Sequence, residues 1–160
     1  WVDTWALEQV TARIEQALRR PRESIDRDKL EQMCRRMIEV YVGPFLGNEP
    51  DEPWSLPMRD RQRQRFVRTI VEMSRYWQQT GQPEQAVDFL ERALEADNVA
   101  ENLYRQLMTC YAQLGRSADA AETYNRCRKT LAAVLKVEPS AETRALFDKL
   151  LQPPSPAAVH

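Results

Sequence analysis

Residues 104–131 read YRQLMTCYAQLGRSADAAETYNRCRKTL, with no proline, no histidine and a single glycine, Gly115. Leu107, Cys110, Tyr111 and Leu114 fall at helical spacing before "GRS", and Ala120, Tyr124, Cys127 and Leu131 do so after it. The pattern predicts two helices that meet at Gly115. Shifted back by 34 positions, the same residue classes return: Gly81 for Gly115, Ala86 for Ala120, Leu90 for Tyr124, Ala93 for Cys127, Trp77 for Tyr111, Met73 for Leu107 and Ile70 for Tyr104. A 34-residue period with a large apolar residue, a glycine turn and small residues on the second helix is the pattern of tetratricopeptide-type repeats. Glycine suits a helix end that must turn left-handed. Ala86, Ala93, Ala120 and Cys127 are small enough to let the two helices of a hairpin approach closely.

Outward from these hairpins the chain reads as all-α, a tetratricopeptide-like solenoid of about seven helices. Helices are expected at about 3–19, 28–41, 58–80, 83–96, 100–114 and 117–135, with a seventh after "EPS", where Ser140 serves as N-cap. The two repeats span about 67–100 and 101–134. The last helix, about 140–151, carries Leu146, Phe147, Leu150 and Leu151 to cover the open apolar end of the stack. Residues 1–151 form one domain in this reading. Residues 152–160, ending in PPSPAAVH, form a disordered tail. Between helices, Gly43–Pro57 is rich in proline and glycine and so reads as a loop, yet Phe45, Leu46, Trp54 and Leu56 are expected to pin it to the helical body.

Composition excludes several classes of function. The 23 basic residues are balanced by 24 acidic ones, so nothing overall favours nucleic acid or an anionic membrane. No apolar run approaches the roughly 20 residues that cross a bilayer, and no signal peptide opens the chain. A cytoplasmic protein is expected. Cys34, Cys110 and Cys127 lack metal-ligand spacing and are expected to be buried free thiols. The only histidine is the terminal His160, and the four glycines stand singly, which removes histidine-based catalysis and a phosphate loop. Carboxylate pairs such as Asp119 with Glu122 and Asp88 with Glu91 lie on solvated helix faces. An enzyme, a cofactor and a metal site are therefore not expected. The run RDRQRQRFVR, with Arg59, Arg61, Arg63, Arg65 and Arg68, winds around a helix instead of lining one stripe. Its expected role is a solvated or salt-bridged face, with the acids of NEPDE, residues 48–52, as partners, ahead of a protein-partner surface or a DNA contact.

Three stretches carry a resemblance. "GPFL" after an aromatic residue, "LYRQLMTCYAQLGR" with its following Ala, Tyr, Arg-Cys and Leu, and "EPSAETRALFDKLL" resemble the bacterial transcriptional activator domain, the helical module of Streptomyces antibiotic regulatory protein type regulators. The resemblance covers about residues 1–151. "KVEPS" departs from the usual glycine-containing approach to the Pro-Ser step, and "DN" at Asp97–Asn98 lacks a proline common at a repeat end. In such regulators a winged-helix DNA-binding domain precedes this module and leads into a "WVD"-like sequence. The opening WVD thus implies an excerpt without its DNA-binding half.

The expected function is a regulatory and oligomerisation module that works by protein–protein contacts, through self-association, the attached winged helix or the transcription machinery. No direct nucleic-acid or membrane contact by this part is expected. The alternative is a free-standing scaffold that holds a peptide in its concave groove. The groove-facing positions are Arg68, Val71, Arg75 and Gln78, then Asn102, Arg105, Thr109 and Ala112, with Arg75 and Arg105 suited to a carboxylate.

Overall fold

A computed structural model describes residues 2–42 and 56–151, and every element of length in them is helical. In chain order they are α1 (Val2–Leu18), α2 (Arg27–Val42), α3 (Leu56–Gln79), α4 (Pro83–Ala96), α5 (Glu101–Gln113), α6 (Ser117–Val134) and α7 (Ala141–Leu151), with one 3-10 turn at Arg22–Ser24. The expected solenoid of seven helices is observed, and each helix end lies within a few residues of its sequence-based position. The side chains of Phe45, Leu46, Trp54 and Leu56, Trp1 of the opening WVD, and the tail 152–160 lie outside the described residues.

The repeat is visible in the backbone. Gly81 and Gly115 adopt φ of 79° and 72°. In each case the residue after glycine donates its N–H five residues back, Gln82 to Trp77 at 2.7 Å and Arg116 to Tyr111 at 2.8 Å. Each glycine N–H in turn reaches three residues back, Gly81 to Gln78 and Gly115 to Ala112. These paired bonds close two α-helices by the same left-handed turn, 34 residues apart. A Cβ at either glycine would meet nothing within 4 Å, so backbone conformation alone selects glycine there. The end of α6 lacks this device. Lys136 takes the left-handed φ of 59° that glycine would take at less cost, which is the structural consequence of "KVEPS".

Helix α4 packs on both α3 and α5, while α3 packs on α5 and α5 on α7. The sequence pattern assigns two hairpins, but α1 and α2 form a third in the same stack, with α1 against α3 and α2 against α4. Their turn contains no glycine. Instead Asp26 Oδ1 accepts the N–H groups of Asp28 and Lys29 at 3.1 and 3.2 Å, capping α2 after the Pro21 turn. A capped helix start replaces the left-handed glycine, and that hides the first repeat from the 34-residue period. The inner layer is thus α1, α3, α5 and α7, and the second layer α2, α4 and α6.

The core is continuous through all three hairpins. Trp77 stacks on Phe89 with ring centres 4.9 Å apart, and Tyr41 stacks on Phe66 at 3.9 Å. Ala86, Ala93 and Ala120 are buried as the close helix contacts require. All three cysteines are buried free thiols. Burial pushes Cys110 and Cys127 up to about 12 and Cys34 up as well, so the thiolate is scarce at neutral pH and these groups are inert core atoms. No helix among the described residues is long and apolar enough to cross a membrane.

Candidate functional site

The arginines of the 59–68 run serve different ends. Arg63 bonds Asp97 at 2.6 Å, with the Asp97 side chain only 6% exposed, and Arg65 meets Glu15 at 3.4 Å. Arg63 thereby ties α3 to the end of α4, and Arg65 ties it to α1. The partners come from distant sequence; residues 48–52, the acids expected in that role, lie outside the described residues. Arg61 points to solvent and Arg68 turns into the concave face.

That concave face holds a cleft of about 890 Å³ between α3, α5 and the start of α7. Arg68, Val71, Arg75, Asn102 and Arg105 line it. A second cleft, between α1 and α3, shares Arg68, Glu72 and Arg75 with the first. Arg68 and Arg75 are two turns apart on α3 and exposed, and among the described residues neither has a carboxylate within ion-pair distance. Gln78 and Thr109 stay out of this lining. The Gln78 amide donates to Gln106 at 3.1 Å, and the Thr109 hydroxyl donates to the Arg105 carbonyl at 3.0 Å.

Arg105 has partners within the chain. Its side chain is 14% exposed, donates to Thr143 Oγ1 at 2.8 Å and to Asn102, and lies 3.8 Å from Glu101 and from Glu142. Around it the start of α7 is locked to α5. Ser140 Oγ accepts the Thr143 N–H at 3.3 Å, as an N-cap should. Glu101 Oε2 accepts the Ser140 N–H at 3.0 Å and the Thr143 hydroxyl at 2.6 Å. Thr143 is wholly buried, whereas Leu146, Phe147 and Leu150 are half-buried, with Phe147 stacked on Tyr124 at 4.0 Å. Helix α7 is therefore seated at its N-terminal end by a polar cluster; of the apolar stripe expected to hold it, the Leu151 side chain lies outside the described residues. "EPSAET" marked the N-cap; the sequence around Glu101 shows only Arg105 one turn on, because its hydrogen-bond partners Ser140 and Thr143 lie about 40 residues away.

Burial pushes the Glu101 carboxyl up, but the hydrogen bonds from Thr143 and Ser140, with the Arg105 charge, outweigh it and hold the group below its ordinary value of 4.5. A carboxyl lowered in the folded state stabilises fully above its unfolded value, and the contribution is lost as pH falls through the folded one. Acidification below pH 4.5 is therefore expected to loosen α7 before the hairpins. Amide hydrogen-exchange protection, followed from neutral to acid pH, should fall first in α7; a simultaneous fall in α4 would contradict this.

Among the described residues no group of three or more histidine, cysteine or acidic side chains is placed to hold a metal ion. Among the described residues the cleft presents two guanidinium groups, Arg68 and Arg75, without an ion-pair partner, beside the acids Asp60, Glu72, Glu101 and Glu142. Comparison with known proteins agrees with a regulatory setting. The sequence profile of the bacterial transcriptional activator domain matches residues 2–151. Over 72 residues, 45% of this chain, the sequence is 35% identical to the transcriptional regulatory protein MoaR1 of Mycobacterium tuberculosis and to that of Mycobacterium bovis. The match covers 23% of the length of those relatives.

Proposed function

Because the chain belongs to the bacterial transcriptional activator domain family, we propose that it is the regulatory and oligomerisation module of a cytoplasmic transcriptional regulator. It acts by protein–protein contacts beside a winged-helix DNA-binding domain and carries no enzymatic activity of its own. The observation that carries this is the family match across residues 2–151, and it is supported by the clefts that the described residues leave on the concave face and at the first hairpin. Pairing subunits would set two DNA-reading elements at half-site spacing. The balanced charge supports a division of labour in which the phosphate contacts belong to the other domain.

The test is a fusion of residues 1–160 to a monomeric heterologous winged helix, measured for occupancy of paired half-sites and for reporter output. The fusion is expected to exceed the winged helix alone, and the chain by itself is expected not to shift duplex DNA at physiological salt. Equal occupancy and output with and without the chain would remove the proposal. A second reading, a scaffold for an acidic peptide in the concave groove, is favoured by the unpaired Arg68 and Arg75.

A further inference from the structure

The stack is closed at one end by α7, while the outer face of the α1–α2 hairpin has no helix against it among the described residues. That face is a groove of about 500 Å³ between the two helices. Trp5 and Val10 of α1 and Met33 of α2 form its apolar floor, and Arg13, Lys29 and Arg36 rim it. Among the described residues none that lines it is acidic. Trp5 is 63% exposed, a large apolar group left in water beside cations. Among the described residues Arg13 and Lys29 have no ion-pair partner. Arg36 meets Glu39 at 3.8 Å with both side chains about two-thirds exposed, a weak pair.

We propose that this groove docks an acidic amphipathic helix of a partner protein, which would stack on α1–α2 as the next element of the solenoid. Two parallel ridges with an apolar floor take a third helix by the same packing that joins the hairpins below. The rim selects its charge: a helix with acids flanking its apolar stripe meets three cations, and a basic or neutral one does not. A second copy of this chain set face to face would oppose three cations with three, so a symmetric pairing through this groove is disfavoured. A nucleic-acid backbone would satisfy the rim but leave Trp5, Val10 and Met33 against water. The inference deepens the protein-contact reading above and rests on it only for the biological setting.

Fluorescence anisotropy of a labelled synthetic helix, with a leucine stripe flanked by glutamates, tests it. The full chain is expected to bind saturably. Affinity should fall by about tenfold or more in the triple variant R13E/K29E/R36E and in Trp5→Ala. The same peptide with lysines for glutamates should bind the wild type poorly and the triple variant well. All four positions are exposed, and an unchanged circular dichroism melt verifies the fold of each variant. Equal binding by wild type and triple variant, no binding at all, or a duplex oligonucleotide captured by the wild type and released by the triple variant would each overturn the proposal. The half-site fusion is independent of this result. If the peptide binds and the fusion is inert, the regulatory reading fails and the docking surface stands.

Discussion

Trp77→Ala is expected to lower the unfolding free energy by about 3–5 kcal/mol, the range for emptying a buried indole site. The ring is 1% exposed and lies flat on Phe89, with 6° between the planes, so it joins α3 to α4 at the level of the Gly81 turn. Its removal leaves a cavity that stacked helices cannot close without separating the hairpins. Small domains have only about 5–15 kcal/mol in total, so the variant should melt far below the wild type and unfold in much less urea. Trp5→Ala supplies the contrast: with the ring mostly in water, its change should stay within about 0.5 kcal/mol. Similar losses at the two positions would mean that Trp77 does not occupy the large apolar repeat position.

Trp77 was legible because repetition exposes what a single hairpin conceals. The pairs Trp77 and Tyr111, Met73 and Leu107, and Gly81 and Gly115 each occupy equivalent places, and each is a local statement about one helix or turn. Features that join elements far apart in sequence were not legible in this way. Glu101 reads as one more solvated carboxylate until α7 sets Ser140 and Thr143 against it. Arg105, at a groove-facing period position, is drawn to the same cluster and to Glu142, leaving Arg68 and Arg75 as the groove guanidinium groups without an ion-pair partner among the described residues. The first hairpin escaped for another reason: an Asp26 cap and a proline turn achieve by different residues what glycine does in the other two. The Trp5 groove was hidden because α1 reads as one core stripe, Leu7, Val10 and Ile14, and Trp5 falls off it. Leu7, Val10 and Ile14 are buried in the core, whereas Trp5 stays 63% exposed beside the groove that Val10 also reaches.

Ala120→Leu is expected to destabilise the second glycine-turned hairpin by about 1–3 kcal/mol, the usual cost of forcing extra carbons into a filled contact. Ala120 is 1% exposed at the start of α6, just after the chain reverses at Gly115. A leucine there must push α6 outward or take an unfavourable rotamer. If α6 yields, the strain passes to α7, because Tyr124 one turn on holds Phe147 by ring stacking. Loss of hydrogen-exchange protection in α7 should therefore accompany the drop in melting temperature. The equivalent change Ala86→Leu should cost more. Helix α4 lies against α2, α3 and α5 and cannot retreat, whereas among the described residues α6 packs chiefly on α5 and α7. Ala132→Leu, on the exposed face of α6, should leave the melt unchanged. If Ala120→Leu also melts with the wild type, the helices do not approach at Ala120, and the small-residue logic of the repeat fails at the position that defined it.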